Sequence, residues 1–283
     1  MGPDDLVLCA GTLPRGTPFA ERLEAAAAAG FASISLWGRD IAAARDEGRS
    51  DADLRSMVAD HGLTVAEVDP AWWWLPGAAD VHVDPAFDSE EVFRFGEDDL
   101  FAMAEAVGAR SLNAVDVFGG TWTVDDAAEA FCDLCARAAE HGLLVHIEWL
   151  PWSRIPDLAT ALAIVEGADA ANGGLNVDAW HVVRSGCDVA DLAAVPGERI
   201  LGIQLDDGPL AAETNLVEAT LHHRRLPGEG EFDLVGLLRA LANTGTSAPL
   251  GVEVFSDDLH ELGAPEAARQ AAATTIGILA ESR

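Results

Sequence analysis

AAEHGLLVHIEWL, residues 138–150, passes from helix to strand in one short stretch. Ala138 to His141 finish a helical run. Gly142 supplies the left-handed residue that closes a helix, and Leu144 to Glu148 form an apolar strand. The pattern recurs in AAAAAGFASISLW at Ala25–Trp37, VADHGLTVAEVD at Val58–Asp69 and AEAVGARSLNAVDV at Ala104–Val117. A helix, a glycine and a strand, returning at intervals of about 30 residues, make a βα repeat.

Extending this reading gives eight strands: Leu6 to Ala10, Ala32 to Leu36, Thr64 to Val68, Ser111 to Val115, Leu144 to Glu148, Gly174 to Asp178, Ile200 to Leu205 and Leu250 to Val254. Helical patterns separate them. The last, Pro265 to Ala280, carries its proline in the first turn, where a missing N–H costs nothing. Eight strand–helix units predict the α/β class and a single (β/α)8 TIM barrel over residues 1–283. The rival, an open doubly wound sheet, lacks its fingerprint: the sequence after the first strand is GTLPRGTP, Gly11–Pro18, not a Gly-rich dinucleotide loop.

Composition removes several chemistries. The 17 basic residues are all arginine, and there is no lysine and no tyrosine. No Schiff base, no lysine-anchored pyridoxal phosphate and no GxxxxGK[ST] phosphate loop is available. A formal charge of −31 repels nucleic acid and anionic membrane surfaces. No apolar run approaches the roughly 18 residues of a membrane span. No signal peptide opens the chain, and four cysteines suggest no disulfide framework, so a cytoplasmic protein is expected. Cys132 and Cys135 form a CxxC inside an amphipathic helical pattern, without a second pair, and are expected as buried helix-face thiols.

In a barrel of this kind the active site lies at the C-terminal ends of the strands. Strand five ends HIEWLPW with Glu148, strand six LNVDAWH with Asp178, strand seven GIQLDDGP with Gln204, and strand eight GVEVFSDD with Glu253. Four successive strands deliver an oxygen ligand to one rim. A lone buried carboxylate in such apolar runs costs several kcal/mol, and a shared cation removes that cost. Two glutamates, an aspartate and an amide suit Mg²⁺ or Mn²⁺. His146, two residues before Glu148 on the same face, is either a supporting partner of the site or a satisfied core histidine. Trp37, Trp73 and other tryptophans near strand ends are candidate pocket walls, with loop packing as the alternative.

The motifs IEWLP, VDAWH, IQLDDG, RRLPGEGEFD and VEVF resemble the sugar phosphate isomerase/epimerase branch of the xylose isomerase-like barrel superfamily. The resemblance implies a divalent metal held by Glu148, Asp178, Gln204 and Glu253, with Glu148 and Glu253 as the acid/base pair. It implies that His181 contacts a substrate oxygen and that the arginine before PGEG binds substrate, with Arg224 and Arg225 both candidates and spacing slightly favouring Arg224. Arg154 stands where ketose epimerases often carry a glutamate, and points to an anionic substrate. Gln204 is similar to what dehydroshikimate dehydratase-like relatives use. The expected function is a metal-dependent isomerase or epimerase of a keto sugar or related hydroxyketone acting through an enediolate. The alternative is a dehydratase of a cyclic hydroxyketone, dehydroshikimate- or inosose-like. A non-catalytic binding barrel and the superfamily's endonuclease branch are the other readings; the charge and the ligand types oppose the latter. The expected partner is a small molecule, and the resemblance allows a homo-oligomer.

Overall fold

The computed structural model describes residues 6–78, 94–117, 119–211 and 213–283. Eight strands form a closed parallel barrel in chain order: β1 (Leu6–Leu8), β2 (Ser33–Trp37), β3 (Thr64–Ala71), β4 (Ser111–Val115), β5 (Leu144–Glu148), β6 (Gly173–Asp178), β7 (Ile200–Leu205) and β8 (Leu250–Val252). Closure comes from the β1–β8 ladder, Leu6↔Leu250 to Leu8↔Val252. The expected single (β/α)8 barrel is therefore what the chain forms.

The helices Phe19–Ala29, Glu97–Val107, Val124–Glu140, Leu158–Ala168, Leu234–Asn243 and Ala264–Ser282 are prominent members of the outer ring. The glycines read as helix closers do that work. Gly30 and Gly108 are left-handed C-caps at φ 86° and 68°, and the chain turns directly into the next strand. The apolar stripe of each helix packs on the outward faces of the strands, where residues such as Leu112, Val145, Ile147, Leu175 and Val177 are fully buried. Among the described residues no helix is long and apolar enough to cross a membrane.

Two strands end earlier than expected. The turn Ala10–Thr12 leaves the ladder, and the Thr12 hydroxyl takes over both its roles. It donates to Val252 O at 2.7 Å and accepts from Val254 N at 3.0 Å, so β1 and β8 stop at Leu8 and Val252. The CxxC expectation is corrected in part. The buried stripe of Val124–Glu140 runs through Phe131, Leu134, Cys135 and Ala138; Cys132 lies past its edge and is exposed. Burial pushes the Cys135 thiol up to about 12. Alkylation by iodoacetamide at pH 8, read by mass spectrometry, is therefore expected to label Cys132 well before Cys135, because the thiolate is the nucleophile. Equal labelling would contradict this packing.

Candidate metal centre

Alternation along the strands decides which side chains enter the lumen. In register across the ladders stand Asn113 and His146, then Glu148 and Asn176, then Asp178 and Gln204. Glu67 and Asp69 of β3 enter two residues apart, and Asp206 and Glu253 follow the last residues of β7 and β8. The lumen is thus lined with acids and amides, while the apolar core lies between strands and helices.

Three of these groups meet. Among the described residues, ligand atoms of Glu148, Asp178 and His181 lie within 4.8 Å of one another, all buried. Local structure explains how a residue three positions beyond Asp178 joins it. Asp178 caps the helix Ala179–Arg184: its Oδ1 accepts from Trp180 N at 2.6 Å and His181 N at 3.4 Å. That turn brings the imidazole back over the cap, with Nε2 at 3.3 Å from Glu148 Oε1 and 3.9 Å from Asp178 Oδ2. The other oxygen of Glu148, Oε2, accepts from Asn113 Nδ2 at 2.5 Å.

Electrostatics argue for a cation. Among the described residues, Glu67, Glu148, Asp178, Asp206 and Glu253 are buried and Asp69 is half-buried, around Arg224 and the histidines 146 and 181, with Arg110 acting on Glu67. Burial, then the charge of Glu148, pushes Glu253 well above the usual carboxylate range. Burial, then Asp178, does the same to Asp206, and burial, then Glu67 and Glu148, to Asp69. Burial also pushes Asp178 upward, but Arg224 and His181 outweigh it and hold it below its ordinary value. A dense set of buried oxygen donors with too little positive charge fits a hard divalent ion.

The sign of the pH dependence follows. Asp69, Asp206 and Glu253 bind protons more tightly folded than unfolded. Their contribution is fully present below the ordinary carboxylate pKa of about 4 and is lost as pH rises through the raised folded values. The Tm of the chelator-treated chain is expected to fall between pH 5.5 and 8. Mn²⁺ is expected to raise it more at pH 8, where protons no longer compete for the donors. Scanning fluorimetry that finds a rising Tm and no Mn²⁺ effect would count against a cation site.

The other expected residues divide. His146 is buried in the lumen, where its Nδ1 faces Asn113 Oδ1 at 3.0 Å. Gln204 enters the lumen, but its side chain is held by Asn176 Nδ2 at 2.7 Å and by Glu67 Oε1 at 3.4 Å. Arg224, the arginine expected at the substrate, is buried, with Nη1 at 2.8 Å from Asp178 Oδ2 and 2.5 Å from Asp206 Oδ2 and Nε donating to Thr220 O. Arg225 is exposed beside Glu229 O. Arg154 is exposed at the rim, over the Trp122 ring at 4.9 Å. Trp37 joins the lumen through its indole, which donates to Asp69 Oδ2 at 3.0 Å. Trp73 instead donates to Glu97, the first residue of Glu97–Val107, which ties it to the outer ring rather than to the lumen. Glu67, Asp69 and Asn113 also line the lumen, though none is among the expected site residues.

The xylose isomerase-like TIM barrel family model matches residues 23–276. The chain belongs to that family. Its relatives in the xylose isomerase-like family include a 3-dehydroshikimate dehydratase of Pseudomonas aeruginosa, 32% identical over 89% of this chain and 37% of that protein. An inosose isomerase of Bacillus subtilis is 26% identical over 55% of each. The chain thus spans about a third and about half of the lengths of these two. A solved structure described as the IOLI protein with a binding zinc atom superposes with a TM-score of 0.82 at 20% identity, covering 99% of each chain, and shares the barrel.

Proposed function

We propose that this chain is a divalent-metal-dependent enzyme that removes the proton beside the ketone of a small polyhydroxylated substrate. The observation that carries the reading is the buried group of Glu148, Asp178 and His181. Beside it Glu253 enters from the end of β8, three strands around the barrel from β5. In this reading Glu148, Asp178, Gln204 and Glu253 hold the ion, Mn²⁺ or Mg²⁺. When bound, the ion supplies a Lewis acid for charge developing on substrate oxygen.

Glu148 and Glu253 face the lumen from different strands, so one carboxylate takes the proton and the other returns one. His181 Nε2, beside Glu148 Oε1, donates to a substrate oxygen. Arg154 and Arg225, both exposed, offer cations to an anionic group. Trp37 and Trp152 narrow the mouth and exclude water, Trp152 lying edge-on to His181 with ring centres 5.6 Å apart.

Dehydration is the outcome we favour. The C–H proton passes to a carboxylate, the bond to the β-hydroxyl breaks, and the hydroxyl leaves with a proton as water. Its support is the dehydratase relative, similar over 89% of the chain, together with Gln204 and Arg154. Isomerisation or epimerisation shares the opening step and is supported by the inosose isomerase relative. Proton NMR in D₂O with Mn²⁺, offering 3-dehydroshikimate and an inosose, separates them. New alkene or aromatic signals are expected. Deuterium incorporation without them gives the second reading, and neither result with either substrate removes both.

A further inference from the structure

We infer that Asn113, held in one orientation by His146, is a positioning residue that aims the Glu148 carboxylate at its ligand. The inference rests on the metal reading above and adds a part to it.

Glu148 uses its two oxygens differently. Oε2 accepts from Asn113 Nδ2 at 2.5 Å, and Oε1 faces His181 Nε2 at 3.3 Å. Asn113 Nδ2 also donates to Asp69 Oδ1 at 3.2 Å. An amide turned by 180° keeps its shape but would set its oxygen against two carboxylates. The two carboxylates on one side admit only the orientation present, and Asn113 Oδ1 then accepts from His146 Nδ1 at 3.0 Å, which requires that nitrogen to carry a proton.

His146 is itself fixed. Its Nε2 lies 3.2 Å from Glu67 Oε2 and 3.1 Å from Ser111 Oγ, whose hydroxyl donates to Ala66 O. Glu67 accepts from Gln204, and Gln204 accepts from Asn176, the ladder partner of Glu148. The fold leaves room for this circuit. A Cβ at Gly202 would come within 2.6 Å of Asn176 Oδ1 and 3.5 Å of His146 Cε1. Asn113, His146, Ser111 and Asn176 are all buried, so no water replaces a lost partner cheaply. Such outer partners of metal-binding groups are commonly worth 10- to 100-fold in metal affinity.

The test is a Mn²⁺ titration of the full chain, read by the EPR signal of free Mn²⁺, with Tm as the folding control. Asn113→Ala and His146→Leu are each expected to weaken Mn²⁺ binding by about 10- to 100-fold. His146→Gln, which keeps an amide donor toward Asn113, is expected to recover most of the loss. Because His146 reaches Glu148 through Asn113, the double variant is expected to bind no more weakly than Asn113→Ala alone. Wild-type affinity in both single variants, or additive losses in the double variant, would overturn the inference while leaving the metal reading standing. A wild-type chain that takes up no Mn²⁺ removes the metal reading and the inference together.

Discussion

Glu148→Gln is expected to lose at least about 10³-fold in turnover with no loss of Tm. The substitution keeps the shape, and the glutamine oxygen still accepts from Asn113 Nδ2. In the proposed reading, what disappears is the proton acceptor and a negative ligand for the cation. Stability is expected to hold or rise, because the lumen is overcharged. The charge of Glu148 is, after burial, the largest cause that pushes Glu253 up, and it also acts on Asp69. Removing it relieves repulsion among buried acids. Activity and stability therefore move apart, which a variant that merely damages packing does not produce. Turnover of 3-dehydroshikimate or inosose by Mn²⁺-loaded protein, with thermal melts of both forms, is the measurement. Turnover within tenfold of wild type would exclude Glu148 as the proton acceptor.

Much of this geometry was legible because it is local. The glycine-then-strand pattern marks β2 to β5, and β4, β5 and β7 have the bounds the pattern predicts. Glu148, Asp178 and Glu253 announce themselves as acids at the ends of apolar strands. The same signal stands in TVAEVD and SLNAVD, where Glu67, Asp69 and Asn113 are polar residues in apolar strands. Period-two alternation carried through all eight strands finds them. The direction of the arginines was not legible. Arg224 and Arg225 are adjacent and alike in sequence. Asp207 and Arg225 exchange backbone hydrogen bonds, and Arg224 N bonds Phe255 O, a pairing between distant loops that turns one side chain inward and the next out. Nor does the sequence say that the Gln204 amide meets Asn176, since that depends on the register of β6 against β7.

That inward turn makes Arg224 the largest stability determinant expected in the lumen. Its Nη1 serves Asp178 and Asp206 and lies 3.7 Å from Glu253 Oε2. Burial alone would lower the guanidinium pKa, but Asp178, Asp206 and Glu253 outweigh it and raise it. Arg224→Met fills similar volume and leaves three buried acids without their fixed counter-charge, a loss of about 3–5 kcal/mol. For a barrel of this size that is a fall of about 10 °C in Tm. The loss has a pH signature. Asp178 sits below its ordinary value in the wild type, so it stabilises above the unfolded pKa and stops doing so as pH falls through the folded one. In Arg224→Met burial pushes Asp178 upward instead, and its deficit grows as pH rises. The gap between variant and wild type is therefore expected to be wider at pH 8 than at pH 5.5. Asp206→Asn added to Arg224→Met removes one of the stranded charges and is expected to restore part of the loss, a coupling that distant sites do not show. Arg225→Met, at an exposed position, is expected to change stability by no more than about 0.5 kcal/mol. If the two arginine variants melt alike, or if the gap does not widen with pH, Arg224 is not the charge that holds these acids together.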